Sequence, residues 1–279
     1  AIELFNQGQL EESIKLFEQG NYLEKLDDAL KIKEQAADLR QKADSAETLA
    51  NKDIEEHTKS IQAQVAAYKM KNEWDKAGEL LKGLADRLQT LDAIFDYANF
   101  ALSQNMFTEA ENGYELYIKK ILSDTNPQAY ESDLAKGYNN LALVYYKIKQ
   151  FNDAERMYKS ALEIQKRTVK NNQQIYELDL AISYNNLTNL YHKLNRFNES
   201  EIMGKFALEI FKHLAEVSPQ MYGLGLFSTY NNLALLYSDI NRFDEAEQMF
   251  KEALEICKRL ATANPQAYKP YLAKSYIYL

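Results

Sequence analysis

Residues 138–161 read YNNLALVYYKIKQFNDAERMYKSA, and the same pattern returns twice later in the chain. The later copies are YNNLTNLYHKLNRFNESEIMGKFA, from Tyr184, and YNNLALLYSDINRFDEAEQMFKEA, from Tyr230. The spacing between copies is constant, since 184 − 138 = 46 and 230 − 184 = 46. A fixed period of this size predicts a stacked repeat protein, because one unit alone cannot bury its apolar face.

Each copy contains two apolar patterns with helical spacing. Leu141, Ala142 and Tyr145 would lie on one face of a first helix, and Ala154 and Tyr158 on one face of a second. The whole chain has only 9 Gly and 4 Pro, and no stretch shows the strict alternation of a strand. The sequence therefore predicts an all-α fold in which helix pairs stack on one another.

Weaker copies precede the three clear ones. Trp74 and Phe107 begin similar segments 33 residues apart, and the later segments are longer because their connectors are longer. We expect a solenoid over residues 71–279, with 46-residue units from about residue 134 and a truncated last unit over 264–279. Prolines in the connectors predict helix ends there. These prolines are Pro127, Pro219, Pro265 and Pro270.

Residues 1–70 form a separate helical region in this interpretation. Residues 1–20 are predicted to hold the end of one helix, a turn, and a second helix closed by Gly20. Residues 21–70 contain neither Gly nor Pro and predict either one helix of about 75 Å or a hairpin broken near residues 51–53. This region would be a brace along the repeats or a dimerising coiled coil. Its alanine-rich seam lacks sustained Leu/Ile heptads, which favours the brace.

Charge and motif content narrow the class of function. The net charge of −8 argues against nucleic acid as a partner, because phosphate binding needs clustered cations. The sequence contains no run of 18 consecutive apolar residues, so we expect no segment that inserts into a membrane. His57, His192 and His213 are scattered, and no catalytic or metal-binding motif is present, so we predict no enzyme activity, no metal and no cofactor. A single cysteine, Cys257, is in line with a reducing compartment such as the cytoplasm. The chain opens and closes inside predicted helices, from which we expect a fragment of a longer protein.

The alternation of large and small residues in each helix pair resembles the tetratricopeptide repeat. The lengthened unit, opening on Asn-Asn-Leu-Ala, resembles the kinesin light chain type of that family, and the resemblance covers roughly residues 61–279. It implies a right-handed superhelix whose first helices line a concave groove. The implied function is a non-catalytic protein–protein interaction scaffold that binds an extended peptide or protein segment of unknown identity. The alternative is an assembly module that forms homo-oligomers through the N-terminal long helix and uses no groove ligand.

The resemblance also assigns a set of groove residues. They lie on the side of each first helix that faces away from its sister helix, with a mixture of amide, basic and apolar side chains. Their lysines would favour an acidic flank in the ligand. The predicted peptide-binding groove consists of Lys136, Asn139, Asn140, Leu143, Tyr146, Lys147, Ile182, Asn185, Asn186, Asn189, His192, Lys193, Ser228, Asn231, Asn232, Leu235, Ser238 and Lys274.

The repeated Asn-Asn pairs are the sharpest chemical signal in this set, because Asn is a poor helix former. Their amides would hold a peptide backbone, or else one Asn of each pair would bond the backbone of the adjacent unit and lock the superhelix. The second Asn of each pair suits this structural role better. Tyrosines that recur every 46 residues, such as Tyr138 and Tyr184, predict packing between units. The segment MYGLGLFSTY, residues 221–230, departs from its sister connectors and is predicted to be a loop packed on the next unit or an exposed partner contact.

Overall fold

The computed structural model describes residues 22–171 and 173–277, and these contain helices and no strand. The chain divides into two compact units, residues 1–71 and 72–279, which are described separately. The helix pair predicted within residues 1–20 lies outside the described residues.

The first unit contains one helix, α1 (Tyr22–Met70), of 49 residues. It runs through residues 51–53 without a break, because none of these residues removes a backbone donor or demands a left-handed backbone. Charged side chains on its surface pair one turn apart, as Lys42 does with Asp38 at 2.7 Å. Several large apolar side chains of α1 are at least half exposed. These are Leu30, Ile32, Leu39, Leu49, Ile54 and Met70.

The second unit is a stack of antiparallel helices. Within each repeat a first helix is followed by a second helix, and the second packs on the first helix of the next repeat. The second-type helices are α2 (Trp74–Leu88), α4 (Phe107–Leu122), α6 (Phe151–Asn171), α8 (Phe197–Val217) and α10 (Phe243–Ala263). The first-type helices are α3 (Leu91–Ser103), α5 (Glu131–Lys147), α7 (Gln173–Lys193), α9 (Pro219–Asp239) and α11 (Pro265–Ile277).

The turn inside each helix pair is built the same way every time. A residue with positive φ sits two positions before α4, α6, α8 and α10: Asn105 (59°), Lys149 (65°), Asn195 (57°) and Asn241 (61°). The next backbone N–H then bonds a carbonyl five residues back, as from Gln150 to Tyr145 at 2.8 Å. This bond satisfies a carbonyl that the helix end would leave open. Asn tolerates the left-handed backbone better than most residues, which explains its use at three of these four turns.

The buried positions agree with the predicted ones. Leu141 is 4% exposed and Tyr145 is 8% exposed, while Ala142 and Ala154 are fully buried. Small residues at the closest approaches let neighbouring helices pack tightly. One apolar core runs from Ile94 in α3 to Leu260 in α10, as a stacked repeat requires.

The connectors differ from the predicted loops, because most of their residues are helical. Pro219 and Pro265 are the first residues of α9 and α11, where the missing N–H costs nothing. Pro127 opens a short 3₁₀ turn, Pro127–Tyr130. The prediction of a helix end at Pro270 is wrong, since α11 continues through it. The carbonyl that loses its bond belongs to Gln266, an exposed residue in the first turn of α11, where water can replace the partner.

The segment 221–230 is part of α9 and packs against its neighbours, which rules out a loop. Phe227 is 5% exposed and meets the Tyr271 ring edge-on, with the ring centroids 5.9 Å apart. A Cβ atom on Gly225 would lie 2.2 Å from Cε1 of Phe211, so glycine is required for the two helices to approach this closely.

Candidate functional site

The first helices α5, α7 and α9 lie side by side and carry the predicted groove residues except Lys274, which belongs to α11. Helical spacing places these residues on one surface of the three helices. We call this surface the amide face. Lys136, Lys147, Ile182 and Lys193 are exposed on it, and Asn139 and Asn231 are buried. The side chain of Lys274 is not among those described. The remaining predicted residues are partly exposed: Asn140, Leu143, Tyr146, Asn185, Asn186, Asn189, His192, Ser228, Asn232, Leu235 and Ser238.

The asparagine pairs form a ladder of hydrogen bonds between successive units. Asn186 Nδ2 donates to Asn139 Oδ1 of the preceding unit at 3.4 Å. One unit further, Asn232 Nδ2 donates to Asn185 Oδ1 at 3.0 Å. The second Asn of each pair is therefore the donor and the first Asn the acceptor. The bond runs between side chains, whereas the structural alternative in the sequence analysis had an Asn bonding backbone of the next unit.

The ladder begins in a unit without an Asn-Asn pair. Asn140 Nδ2 donates to Asn99 Oδ1 at 3.2 Å, and the same oxygen accepts from the hydroxyl of Tyr114 at 2.6 Å. Asn99 lies one helical turn after Phe95 and Asp96, the residues that stand where a pair would be expected. Asn99 was missed from the sequence because the 46-residue period does not hold in that unit.

The last pair uses its first asparagine differently. Asn231 Nδ2 bonds the carbonyl of Phe227 in its own helix at 2.9 Å. Its Oδ1 atom is buried and has no hydrogen-bond partner among the described residues. In the two preceding units the equivalent oxygen, Oδ1 of Asn139 or Asn185, accepts a hydrogen bond from an asparagine of the next repeat.

Some amide atoms of the middle repeat are not used in the ladder. Within the described part of the chain, Asn185 Nδ2 and the amide of Asn189 have no hydrogen-bond partner, and both residues are partly exposed. His192 Nε2 lies 2.7 Å from Asp239 Oδ2, which links α7 to α9 at one edge of the face. The ring of Tyr146 packs on Phe151 with centroids 5.9 Å apart, so only part of the tyrosine faces outward.

Ionisable groups on the amide face are few. Lys136 Nζ lies 3.7 Å from Asp133 at the start of α5. Burial raises the pKa of Asp179 above its ordinary value, the cation of Lys136 counteracts this, and Asp133 adds to it. Lys147 and Lys193 are exposed and form no ion pair within the described residues. The C-terminal ends of α5 and α7 therefore offer positive charge to a ligand.

A second repeated network joins the helices, and the sequence analysis missed it. The hydroxyl of Tyr237 donates to Glu201 of the preceding unit at 3.1 Å, and Arg242 donates to the same carboxylate at 2.9 Å. The Arg242 guanidinium also lies over the Tyr237 ring, 4.3 Å from its centroid. The preceding unit repeats this arrangement with Tyr191, Glu155 and Arg196. The signal in the sequence is the recurrence of all three residue types every 46 positions.

Electrostatics hold this network in its charged form. Burial alone would raise the pKa of the Glu201 carboxyl, but hydrogen bonds from Lys205 and Arg242 outweigh burial and leave the pKa below its ordinary value. Burial raises the pKa of the Tyr237 hydroxyl to about 12, with a further contribution from the Glu201 charge. The tyrosine therefore remains a neutral donor and the glutamate a charged acceptor at neutral pH.

The described residues provide neither a cluster of metal ligands nor a membrane-spanning helix. They contain no group of three or more His, Cys, Asp or Glu side chains that could hold a metal ion. Among them, too, there is no helix long and apolar enough to cross a membrane.

The fold places the protein in the class of α-solenoids built from helix pairs. Its first helices share the amide face. Family models assign the particular repeat. Residues 133–213 and residues 226–262 match models of the tetratricopeptide repeat. The repeats in these two segments are therefore tetratricopeptide repeats, as the spacing of their large and small residues indicated. None of the curated protein sequences compared with the chain matches it.

Solved structures with the same fold include repeat proteins from distant sources. BtubC (BKLC) from P. vanneervenii is 24% identical over 73% of this chain and 80% of its own, with a TM-score of 0.60. A putative kinesin light chain from Podosopora anserina with nearly identical TPR-like repeats is 15% identical over 72% and 94%, with a TM-score of 0.54. The Rap conjugation gene regulator of plasmid pLS20, solved in complex with the Phr* peptide, is 16% identical over 71% and 53%, with a TM-score of 0.50.

These likenesses establish the fold, and the solved structures that share it include a putative kinesin light chain with TPR-like repeats. Tetratricopeptide repeats serve in protein interaction, and the fold is generally a non-catalytic scaffold. What binds is decided by the side chains on the surfaces of this chain.

Proposed function

We propose that the chain is a non-catalytic scaffold that binds an extended peptide or protein segment along the amide face. The main support for this proposal comes from Asn185 and Asn189 on α7, the middle one of three adjacent first helices. Each has amide atoms that form no hydrogen bond with any of the described residues. A side-chain amide offers both donors and an acceptor, which suits it to bonding the backbone of an extended peptide without reading its side chains.

The rest of the face supports a ligand of mixed character. Leu143 and Leu235 are partly exposed and would give apolar contacts on either side of the central amides. Lys147 and Lys193 favour acidic residues where the ligand passes the C-terminal ends of α5 and α7. The Rap regulator solved with a peptide offers a precedent for peptide binding on a chain of this fold.

The ladder divides the asparagines by role in this proposal. The second asparagines of the pairs each donate a hydrogen bond to the preceding unit; these are Asn140, Asn186 and Asn232. Replacing them would weaken the packing between units as well as the binding of a ligand. Asn189 is outside the ladder, so its replacement tests binding alone. From the sequence, the second Asn of each pair was expected to suit the structural role, but the position of Asn189 outside the ladder was not evident.

The test is a peptide array over purified protein, followed by titration of the best peptide against Asn189→Ala. We expect at least a tenfold loss of affinity, since a buried amide–peptide hydrogen bond is worth about 1 kcal/mol and its unpaired partner adds a desolvation cost. The helix content should not change. Asn198→Ala is a matched control, because Asn198 is exposed on α8 outside the amide face. Equal losses in both variants, or no loss in either, would contradict the proposal.

A second candidate function is self-association through α1. Its motivation is the set of exposed apolar side chains on this helix, including Ile32 at 66% and Leu39 at 65% exposure. Paired helices would bury such side chains. Sedimentation of the full chain and of its Ile32→Lys/Leu39→Lys variant tests this idea. A wild-type dimer that the variant converts to a monomer supports it, and a wild-type monomer at high concentration eliminates it.

A further inference from the structure

In two repeats an acidic side chain at the start of the first helix contacts a basic side chain at the end of the second helix. Arg167 donates to Glu131 at 2.7 Å, and His213 Nδ1 lies 3.3 Å from Glu177. The two partners are 36 residues apart in both units. In the next unit the corresponding positions are Gly223 and Arg259. The cation is retained there and the carboxylate is missing.

A cavity of about 350 Å³ lies beside these two positions, between α8, α9 and α10. Leu226, Ile256 and Leu260 form its apolar wall, and Lys212 and Arg259 contribute positive charge. Gly223 is one of the residues that line the cavity. A Cβ added to it would lie 3.0 Å from Cδ2 of Leu260, so the Leu260 side chain would have to move by a few tenths of an ångström to admit a side chain there. Arg259 has no carboxylate within ion-pair distance among the described residues.

We propose that this cavity binds a carboxylate supplied in trans, namely a glutamate side chain of a partner protein. The inference is independent of the peptide-binding role of the amide face, because none of the residues lining the cavity belongs to that face. The proposed ligand takes the place that Glu131 and Glu177 occupy in their own repeats. Its carboxylate would meet Arg259, and its methylene groups would pack on Leu226 and Leu260.

The chemistry of the lining favours a carboxylate over other ligands. Arg presents paired N–H donors that match a carboxylate, and such bonds are stronger than those between neutral groups. Lys212 adds a second cation; its Nζ lies 5.6 Å from the centre of the Tyr230 ring. Glu216 is the one acidic residue of the lining, so the lining carries two positive charges and one negative charge. The size of the ligand is indicated by the sister repeats, where a glutamate fits.

The experiment follows backbone amide NMR shifts of ¹⁵N-labelled full chain during titration with blocked tripeptides. The probes are acetyl-Ala-Glu-Ala-amide and its Gln twin, with butyrate as a free carboxylate of similar size. We expect the Glu peptide to move the Gly223 and Leu224 signals saturably and at least tenfold more tightly than the Gln peptide. Arg259→Gln should weaken the Glu peptide at least tenfold.

Gly223→Glu supplies the missing carboxylate in cis and should abolish the response to every probe. Arg167→Gln is the matched control, because Arg167 is already paired with Glu131, and it should leave the response at Gly223 unchanged. The proposal is overturned if the Glu and Gln peptides bind equally, if neither saturates, or if Gly223→Glu binds as well as wild type. Saturation by butyrate without the Glu peptide would overturn the assignment to a protein partner.

Discussion

One pair of substitutions tests the packing in opposite directions. Gly225 and Gly83 both lie inside helices, α9 and α2. Changing an exposed helical Gly to Ala stabilises a protein by roughly 0.5–1 kcal/mol, since Ala loses less backbone freedom on folding. The surroundings of the two glycines decide whether this gain survives. We expect Gly83→Ala to raise the free energy of unfolding and Gly225→Ala to lower it.

The magnitudes come from the distances to a new Cβ. At Gly225 it would lie 2.2 Å from Cε1, 2.7 Å from Cζ and 2.8 Å from Cδ1 of Phe211, where ordinary contact begins at 3.4 Å. The ring would have to move by 3.4 − 2.2 = 1.2 Å, and Phe211 is a core residue that is only 3% exposed. Overpacking of this kind costs about 1–3 kcal/mol, which exceeds the helix gain. After the helix gain is subtracted, the expected net loss is up to about 2.5 kcal/mol.

At Gly83 the new Cβ would meet only Nη1 of Arg87, at 2.9 Å. This atom is the far end of a flexible side chain and its hydrogen bond, 3.0 Å to the Gly83 carbonyl, is exposed. The arginine can therefore move at little cost, and a gain of about 0.5–1 kcal/mol should remain.

Urea unfolding followed by circular dichroism at 222 nm measures both variants against wild type. Phe211→Leu in the Gly225→Ala background should cost less than in wild type, because the smaller side chain relieves the overlap. Stabilisation by Gly225→Ala, or an additive double variant, would refute the close packing described for α8 and α9.

Three further predictions concern the turns, the tyrosines and the ladder. Lys149→Asn should stabilise the protein by about 0.5–1 kcal/mol because φ is 65° there, while Asn195→Lys should do the reverse in the same urea assay. Burial raises the pKa of the Tyr145 and Tyr237 hydroxyls to about 12. Their contribution to the free energy of unfolding is therefore complete below pH 10 and is lost as the pH rises from about 10 to 12. The double variant Tyr145→Phe, Tyr237→Phe should flatten this part of a curve of unfolding free energy against pH. Asn232→Ala should lower the unfolding free energy by about 1 kcal/mol and Asn198→Ala by less than half of that, since only Asn232 bonds the neighbouring unit.

Much of the solenoid could be predicted from one repeated segment. Residues such as Leu141 and Ala142 recur at helical spacing, and burial of such a stripe needs a neighbouring unit, so fold class and stacking follow from the period. The connectors were harder to predict. Pro219 marks a helix boundary but does not say whether a loop or a helix follows it, and here it begins α9.

The amide face was only partly predictable. Helical spacing places Asn185 and Asn186 on one side of α7, but neighbouring positions on a helix differ by 100°, and small rotations decide which amide meets the next unit. The direction of the ladder, from Asn232 to Asn185, therefore needed coordinates. The Gly223–Arg259 position could have been recognised by aligning the repeats, because two earlier copies keep an acidic and a basic residue 36 positions apart.

The asparagine ladder has a consequence for how such a chain can grow. Each 46-residue unit brings a donor for the unit before it and an acceptor for the unit after it. A segment of this kind is complementary to a shifted copy of itself. Tandem duplication of the segment would therefore reproduce a working interface without any compensating substitution. The same polar bond that joins two repeats thus allows the number of repeats to change.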